Sequence, residues 1–187
     1  MELLEFKKIT LDDRVDKKYE AWSRIYEYPL VMDILEKYNK IEQPKIHNTS
    51  WGWEGCHIMF KNDLDELSEN CIHSDLKKSN LPKTTIWDLT KKPLEGFRDN
   101  FDVVINVSTM EEVKFDHMSI FNNLLEQVKP EGILICTFDL PGLQLEKFES
   151  LFGKKIDRFN NEINGGVSIL PDNRHKHLSC GLIVVKK

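Results

Sequence analysis

Ser50, Gly52 and Gly55 punctuate the stretch KIHNTSWGWEGCH, residues 45–57, with Trp51 and Trp53 between them. Glycine opens backbone angles closed to other residues and lets a ligand approach the main chain. A loop of this kind at the start of a helix also offers free N–H groups to a carboxylate or phosphate. The spacing is not a clean G-x-G-x-x-G, since Ser50 holds the first position, and an ordinary tight turn accounts for it equally well. Asp75 follows the glycines by about 20 residues, the distance at which an acidic residue accepts hydrogen bonds from a ribose diol. In SDLKKS the same residue also reads as a helix N-cap or turn aspartate. Asp88, in TTIWDLTKKPL, is a carboxylate able to accept from the exocyclic amine of an adenine, or else one that closes a turn.

Residues able to move protons stand near the same positions: His57, Glu111, Glu112 and Asp139. Each also reads as a solvated cap or turn. His175 and His177 are two apart, which aims them the same way on a strand; a polar hairpin connection explains them better than a metal pair does. The four cysteines, Cys56, Cys71, Cys136 and Cys180, have no C-x-x-C spacing and read as reduced core thiols.

The elements that must position these residues follow from periodicity. Residues 11–40 read as two helical pieces, with Leu30, Val31, Ile34, Leu35 and Tyr38 on one face and a break at Tyr28–Pro29. Residues 1–42 thus form an expected N-terminal helical extension. From residue 44 short apolar runs alternate with amphipathic stretches. Strands are expected at PKIHN, NCIHSD, TTIWDL, FDVVINV, EGILICTFDL, GVSIL and LSCGLIVVKK; helices are expected from Trp53 to Leu67, in HMSIFNNLLEQVK and in LQLEKFESLFG. FDVVINV is apolar at nearly every position, as a strand buried on both faces must be. This alternation predicts one α/β domain over 1–187, a doubly wound, mostly parallel seven-stranded sheet in three α/β/α layers. Ligands of such sheets sit beyond the carboxyl ends of the strands. The residues above lie there. Only a loop or single turn fits between Asp75 and the third strand.

Composition narrows the partners. The 187 residues suit one core, and a net charge of −5 disfavours a polynucleotide partner. No apolar run approaches the roughly 18 residues that span a bilayer, and the charged N-terminus does not read as a signal peptide. A cytoplasmic protein without membrane attachment is expected.

FDVVINVSTMEEV, then a helix, then LLEQVKPEGILICTFDLPG, resembles the second half of a class I (Rossmann-like) S-adenosylmethionine-dependent methyltransferase. In that family the fourth strand begins with Phe-Asp and valines and ends in a Ser/Thr-Leu-Glu-His-Val-like turn, matched by Ser108 to Val113. A Leu-Lys-Pro-Gly-Gly phrase feeds the fifth strand, matched by Val128 to Gly132. The resemblance covers residues 44–152. It implies S-adenosylmethionine as cofactor, with Asn48, Ser50, Trp51, Gly52 and Gly55 facing its methionine part. Asp75 is implied at the ribose, Asp88 and Leu89 at the adenine, and Asn106, Val107 and Ser108 near the sulfonium. Trp51 and Trp53 either wall the pocket or pack on the N-terminal helices. The family's first strand ends in an acidic residue and glycines; here Ile46 or His47 holds the acidic place. Of the candidate bases, Glu112 comes first because the turn after the fourth strand borders the acceptor, and Asp139 second. No Asn/Asp-Pro-Pro-Tyr/Phe sequence occurs, which disfavours methylation of base amines.

Methyl transfer to a small molecule or sugar is the leading expectation. A non-catalytic binding or scaffold module on the same fold is the alternative. A nicotinamide-dependent oxidoreductase comes third, because the Phe-Asp strand and the KPEG turn do not suit it.

Overall fold

The computed structural model describes residues 1–9, 16–19, 23–52, 55–140, 142–156 and 179–187. The strands are β1 (Glu2–Lys8), β2 (Ile46–Thr49), β3 (Cys71–Asp75), β4 (Thr84–Ile86), β5 (Phe101–Val107), β6 (Val128–Leu140) and β7 (Ser179–Lys186). The helices are α1 (Arg24–Tyr38), α2 (Cys56–Leu67), α3 (His117–Leu125) and α4 (Leu145–Phe152), with short 3-10 turns at Lys17–Tyr19 and Met110–Glu112. They build one seven-stranded sheet in the order β1-β7-β6-β5-β2-β3-β4. Strands β2 to β6 pair in parallel, and β7 runs antiparallel to both β6 and β1. The chain winds from β2 outward through β3 and β4, then returns to β5 and winds the other way. The switch point therefore lies between Thr49 and Asn106, which pair at the ends of β2 and β5.

Two apolar clusters sandwich this sheet. On one face Tyr28, Val31 and Ile34 of α1 and Phe60 and Leu64 of α2 pack on Val103, Ile105, Ile135, Leu182 and Val184. On the other, Phe121 and Leu124 of α3 and Phe148 of α4 pack on Val104, Leu134, Phe138, Ile183 and Val185. This is the expected doubly wound, three-layer arrangement. The link from Asp75 to β4 contains no helix, as its length requires. α4 ends at Gly153, whose φ of 63° is the left-handed C-cap conformation. All four cysteines are buried and free. Among the described residues no helix is long and apolar enough to cross a membrane.

Two expectations are corrected. The N-terminal segment is not wholly helical, because Glu2–Lys8 forms an edge strand on β7. A bulge at Leu4 lets Leu3 and Phe6, three apart, face the same side of the sheet, which breaks the period of two by which strands are recognised. Phe6 is 1% exposed and packs edge-on against Phe152, with ring centroids 5.2 Å apart. Nor does the chain break at Tyr28–Pro29: α1 runs through Pro29. Proline cannot donate to the carbonyl four residues back. That carbonyl, of Ile25, instead accepts the N–H of Asp16 at 3.0 Å. Residues 11–15 and 20–22 of the first helical piece, the GVSIL strand, Trp53, His175 and His177 lie outside the described residues.

Candidate functional site

The ends of β2, β3 and β5 meet at the switch point and are tied there by side chains. Thr49 Oγ1 donates to the Ile105 carbonyl at 2.9 Å and accepts from Asn106 Nδ2 at 2.9 Å. Asn106 Oδ1 accepts the Met110 N–H at 3.3 Å, so this fully buried amide is spent on holding the turn that follows β5. Asn48 is likewise inside, its Nδ2 donating to His73 Nδ1 at 3.2 Å. Val107 and Leu89 are core residues, the first under α1 and the second beside Trp87. Of the residues that the resemblance assigns to a cofactor, these four serve the interior.

The loop after β2 and the end of β3 come together. Ser50, Gly52 and Gly55 take φ of 53°, 61° and 54°, the left-handed region. The Gly52 N–H donates to Asp75 Oδ2 at 3.3 Å, while Asp75 Oδ1 accepts from the Lys77 N–H at 3.0 Å. Asp75 thus closes its own turn and faces the loop at once. Trp51 is 3% exposed, and its Nε1–H has no partner among the described residues. A buried donor without a partner costs on the order of 1–3 kcal/mol, so the indole N–H favours any acceptor that comes within its reach. Asp88 lies just past β4, whose end is joined to β3 by the Trp87 N–H donating to the Asp75 carbonyl at 3.0 Å. Asp88 Oδ1 accepts the N–H of Thr90 at 2.9 Å and its hydroxyl at 2.8 Å, and these bonds hold its carboxyl below the usual range.

Gly52 needs its missing side chain. A Cβ there would lie 2.7 Å from His57 Cδ2, on a backbone already left-handed. Gly52→Ala is expected to cost about 1–2 kcal/mol from the backbone alone and more from displacing the imidazole. Chemical denaturation of the variant checks it.

The turn after β5 meets α1, none of whose residues is among the expected site residues. Ser108 has φ of 37°, and its hydroxyl donates to Glu27 on α1. Glu27 is fully buried, accepts from Ser23 Oγ at 2.6 Å, and forms an ion pair with Arg24. Burial alone would raise its pKa; Arg24, Ser108 and Ser23 outweigh it and hold the carboxyl below its usual value. Next to it, the Tyr28 hydroxyl hydrogen-bonds His57 Nδ1, and burial and Arg24 lower the His57 pKa. α1 therefore reaches both the Ser108 turn and, through His57, the glycine loop. The signal was present in the sequence: Arg24, Glu27 and Tyr28, at i, i+3 and i+4, share a face with Val31.

At the end of β6, Asp139 donates its N–H to Glu111 Oε1 at 2.7 Å and accepts from Cys180 Sγ at 3.2 Å. Burial, then the Glu27 charge, push the Asp139 carboxyl up to about 6. Glu111 is 8% exposed, its Oε2 has no partner among the described residues, and burial raises it to about 8. Glu112 is exposed; it and Glu111 line an open groove of about 520 Å3 with Val113, Phe115, His117 and Gln144. A larger hollow of about 650 Å3 between α1 and α2 is lined by Met32, Leu35, Asp63 and Glu66 and touches none of the strand-end residues.

No family model matches the chain, and no curated protein does. Solved structures do. An S-adenosylmethionine-dependent methyltransferase from Mesorhizobium loti aligns with a TM-score of 0.56 at 12% identity, over 86% of this chain and 97% of that one. The [4+2]-cyclase SpnF aligns at 0.59 and 10%, over 94% and 86%. The trans-methyltransferase CalH, in complex with SAH, aligns at 0.51 and 14%, over 85% of this chain and 55% of its own length. This chain thus spans about half of CalH. At such identities the likeness speaks for architecture, and the architecture of this chain is a methyltransferase-like α/β Rossmann fold.

Proposed function

We propose that the chain binds S-adenosylmethionine at the carboxyl ends of β2, β3 and β5 and directs methyl transfer to a hydroxyl of a small molecule or sugar. The observation that carries this reading is the Gly52 N–H on Asp75 Oδ2 at the switch point, beside Trp51, whose Nε1–H has no partner among the described residues. The residues fit the nucleoside end of that cofactor. A ligand lying over the loop offers acceptors to the orphaned indole and hydroxyls to Asp75, whose carboxylate has about four acceptor sites. The cofactor, when bound, supplies a methyl group made electrophilic by its sulfonium. The residues of this chain bind, orient and shield it. Ser50, Gly52 and Gly55 keep the main chain open, Asp75 takes the ribose, and Asp88 stands past the next strand at the adenine. Asp139, with Glu112 at the groove, is the group able to accept the acceptor's proton at neutral pH; Glu111 carries its own proton there and can accept one only as pH approaches 8. Glu112 keeps its place as the solvent-side member of this set, and half-buried Asp139, pushed up to about 6, is tuned as a base near neutral pH.

The test is calorimetry with S-adenosylhomocysteine, joined to mass spectrometry of ligands released from freshly purified protein. Micromolar binding is expected, weakened about tenfold in Asp75→Asn by loss of charged acceptance from the ribose. No binding at millimolar concentration would end this reading.

One observation favours a second reading, a non-catalytic binding module. Glu27 takes the hydroxyl of Ser108, which the resemblance puts near the sulfonium. SpnF, a cyclase by name, also has this fold, so the fold does not fix the reaction. Nucleoside binding without methyl transfer to any hydroxylated acceptor in a broad panel would support it.

A further inference from the structure

We propose that Arg24 and Glu27 of α1 read the amino-acid end of the cofactor, the guanidinium meeting its carboxylate and the Glu27 carboxylate its ammonium. This rests on the reading above and deepens it. No acid at the end of β2 does this work: the strand is Ile46-His47-Asn48-Thr49, all buried, and burial lowers the His47 pKa to about 3. The nearest fully buried anion comes from another element. Glu27 bonds Ser108 at the end of β5, and the neighbouring Tyr28 bonds His57, whose ring fills the space under Gly52. The pair therefore stands between the Ser108 turn and the glycine loop.

Its chemistry matches a zwitterion. An α-amino acid carries one anion and one cation a few ångströms apart, and a buried Arg–Glu pair offers the complementary two. Both protein charges are already out of water and held by Ser23 and Ser108, so a ligand that exchanges partners with them adds no further desolvation of the protein ions. Capacity remains on the guanidinium, while the Glu27 carboxylate must exchange a partner. Arg24 Nη1 donates to Ser23 Oγ at 3.1 Å and to Glu27, two of the bonds that its five N–H groups allow. Glu27 is held ionised, the state that an ammonium needs.

Calorimetry with three nucleosides tests this without turnover: S-adenosylhomocysteine, its decarboxylated analogue, and 5′-methylthioadenosine, which lacks the amino-acid end. The wild type should bind S-adenosylhomocysteine about tenfold or more tighter than 5′-methylthioadenosine, about 1.4 kcal/mol. The decarboxylated analogue should fall between them. Glu27→Gln, which keeps shape, accepts one serine hydroxyl on its oxygen and can donate its amide to the other, should cut the advantage to about threefold or less. It should leave 5′-methylthioadenosine affinity unchanged, which shows that the fold is intact. If Glu27→Gln does not fold, the wild-type series decides. Equal binding of all three nucleosides, or an advantage that survives in Glu27→Gln, overturns the inference and leaves cofactor binding standing. Failure of every nucleoside to bind overturns the proposed function and this inference together.

Discussion

Replacing Glu27 by alanine is expected to remove about 3–5 kcal/mol of folding free energy, because it leaves the Arg24 guanidinium among buried groups without its anion. The Arg24 side chain is 17% exposed and that of Glu27 is not exposed at all, so neither charge is recovered by solvent. The alanine also strands the hydroxyls of Ser23 and Ser108, both of which donate to Glu27. For a domain of this length the loss corresponds to a midpoint about 10 °C lower in a thermal melt. The double variant Arg24→Met/Glu27→Leu removes both charges and keeps the volume, and should recover at least half of the loss, since a buried ion pair is worth little more than apolar side chains in its place. An alanine variant that melts within about 2 °C of the wild type would show that the pair is not buried in solution. The double variant carries a second message. It should fold well yet lose the preference for the amino-acid end of the nucleoside, which separates stability from recognition.

Periodicity found most of the sheet and little of what holds its end together. Buried strands such as FDVVINV announce themselves because the sheet needs apolar side chains on both faces. The N-terminal strand did not, since its bulge at Leu4 turns a period of two into a spacing of three. Pro29 suggested a helix break, but the Ile25 carbonyl is satisfied by the N–H of Asp16, thirteen positions before the proline, and no local rule registers such a contact. At the site, Asp75 and the glycine loop were legible because spacing fixes their place at strand ends. Asn106 and Asn48 were named for the same reason: position brought them to the switch point, and only coordinates reveal that their amides bond Thr49, Met110 and His73. Glu27 was missed because a charged residue in a helix reads as solvent-facing unless its whole face is weighed, and the partner that explains it, Ser108, is 81 positions away.

Glu111→Gln should change how stability depends on pH, with a sign that identifies the group. Burial raises the Glu111 carboxyl to about 8 in the folded chain, against 4.5 for an ordinary glutamate. The folded state therefore holds a proton that the unfolded state gives up. Stability from this group is fully present below pH 4.5 and is lost as pH rises from there through about 8. The full loss is on the order of 3–5 kcal/mol, at about 1.4 kcal/mol per unit of separation. Glutamine cannot ionise and still accepts the Asp139 N–H, so the variant should match the wild type near pH 5 and exceed its stability at pH 9. Two histidines act in the opposite direction. His47 sits among Trp87, Phe97 and Phe101, with Gln127 and Ser74 on its two nitrogens, and burial lowers it to about 3; His73 is lowered to about 4. Both stay neutral in the fold while the unfolded chain protonates, so they withdraw stability as pH falls below 6.5. The wild type should then show a maximum near pH 6, and Glu111→Gln should move that maximum upward while leaving the acid limb in place. Urea midpoints at pH 5, 7 and 9 read this directly. Parallel curves for the two proteins would mean that Glu111 is already ionised and solvated at neutral pH, and that burial does not hold its proton.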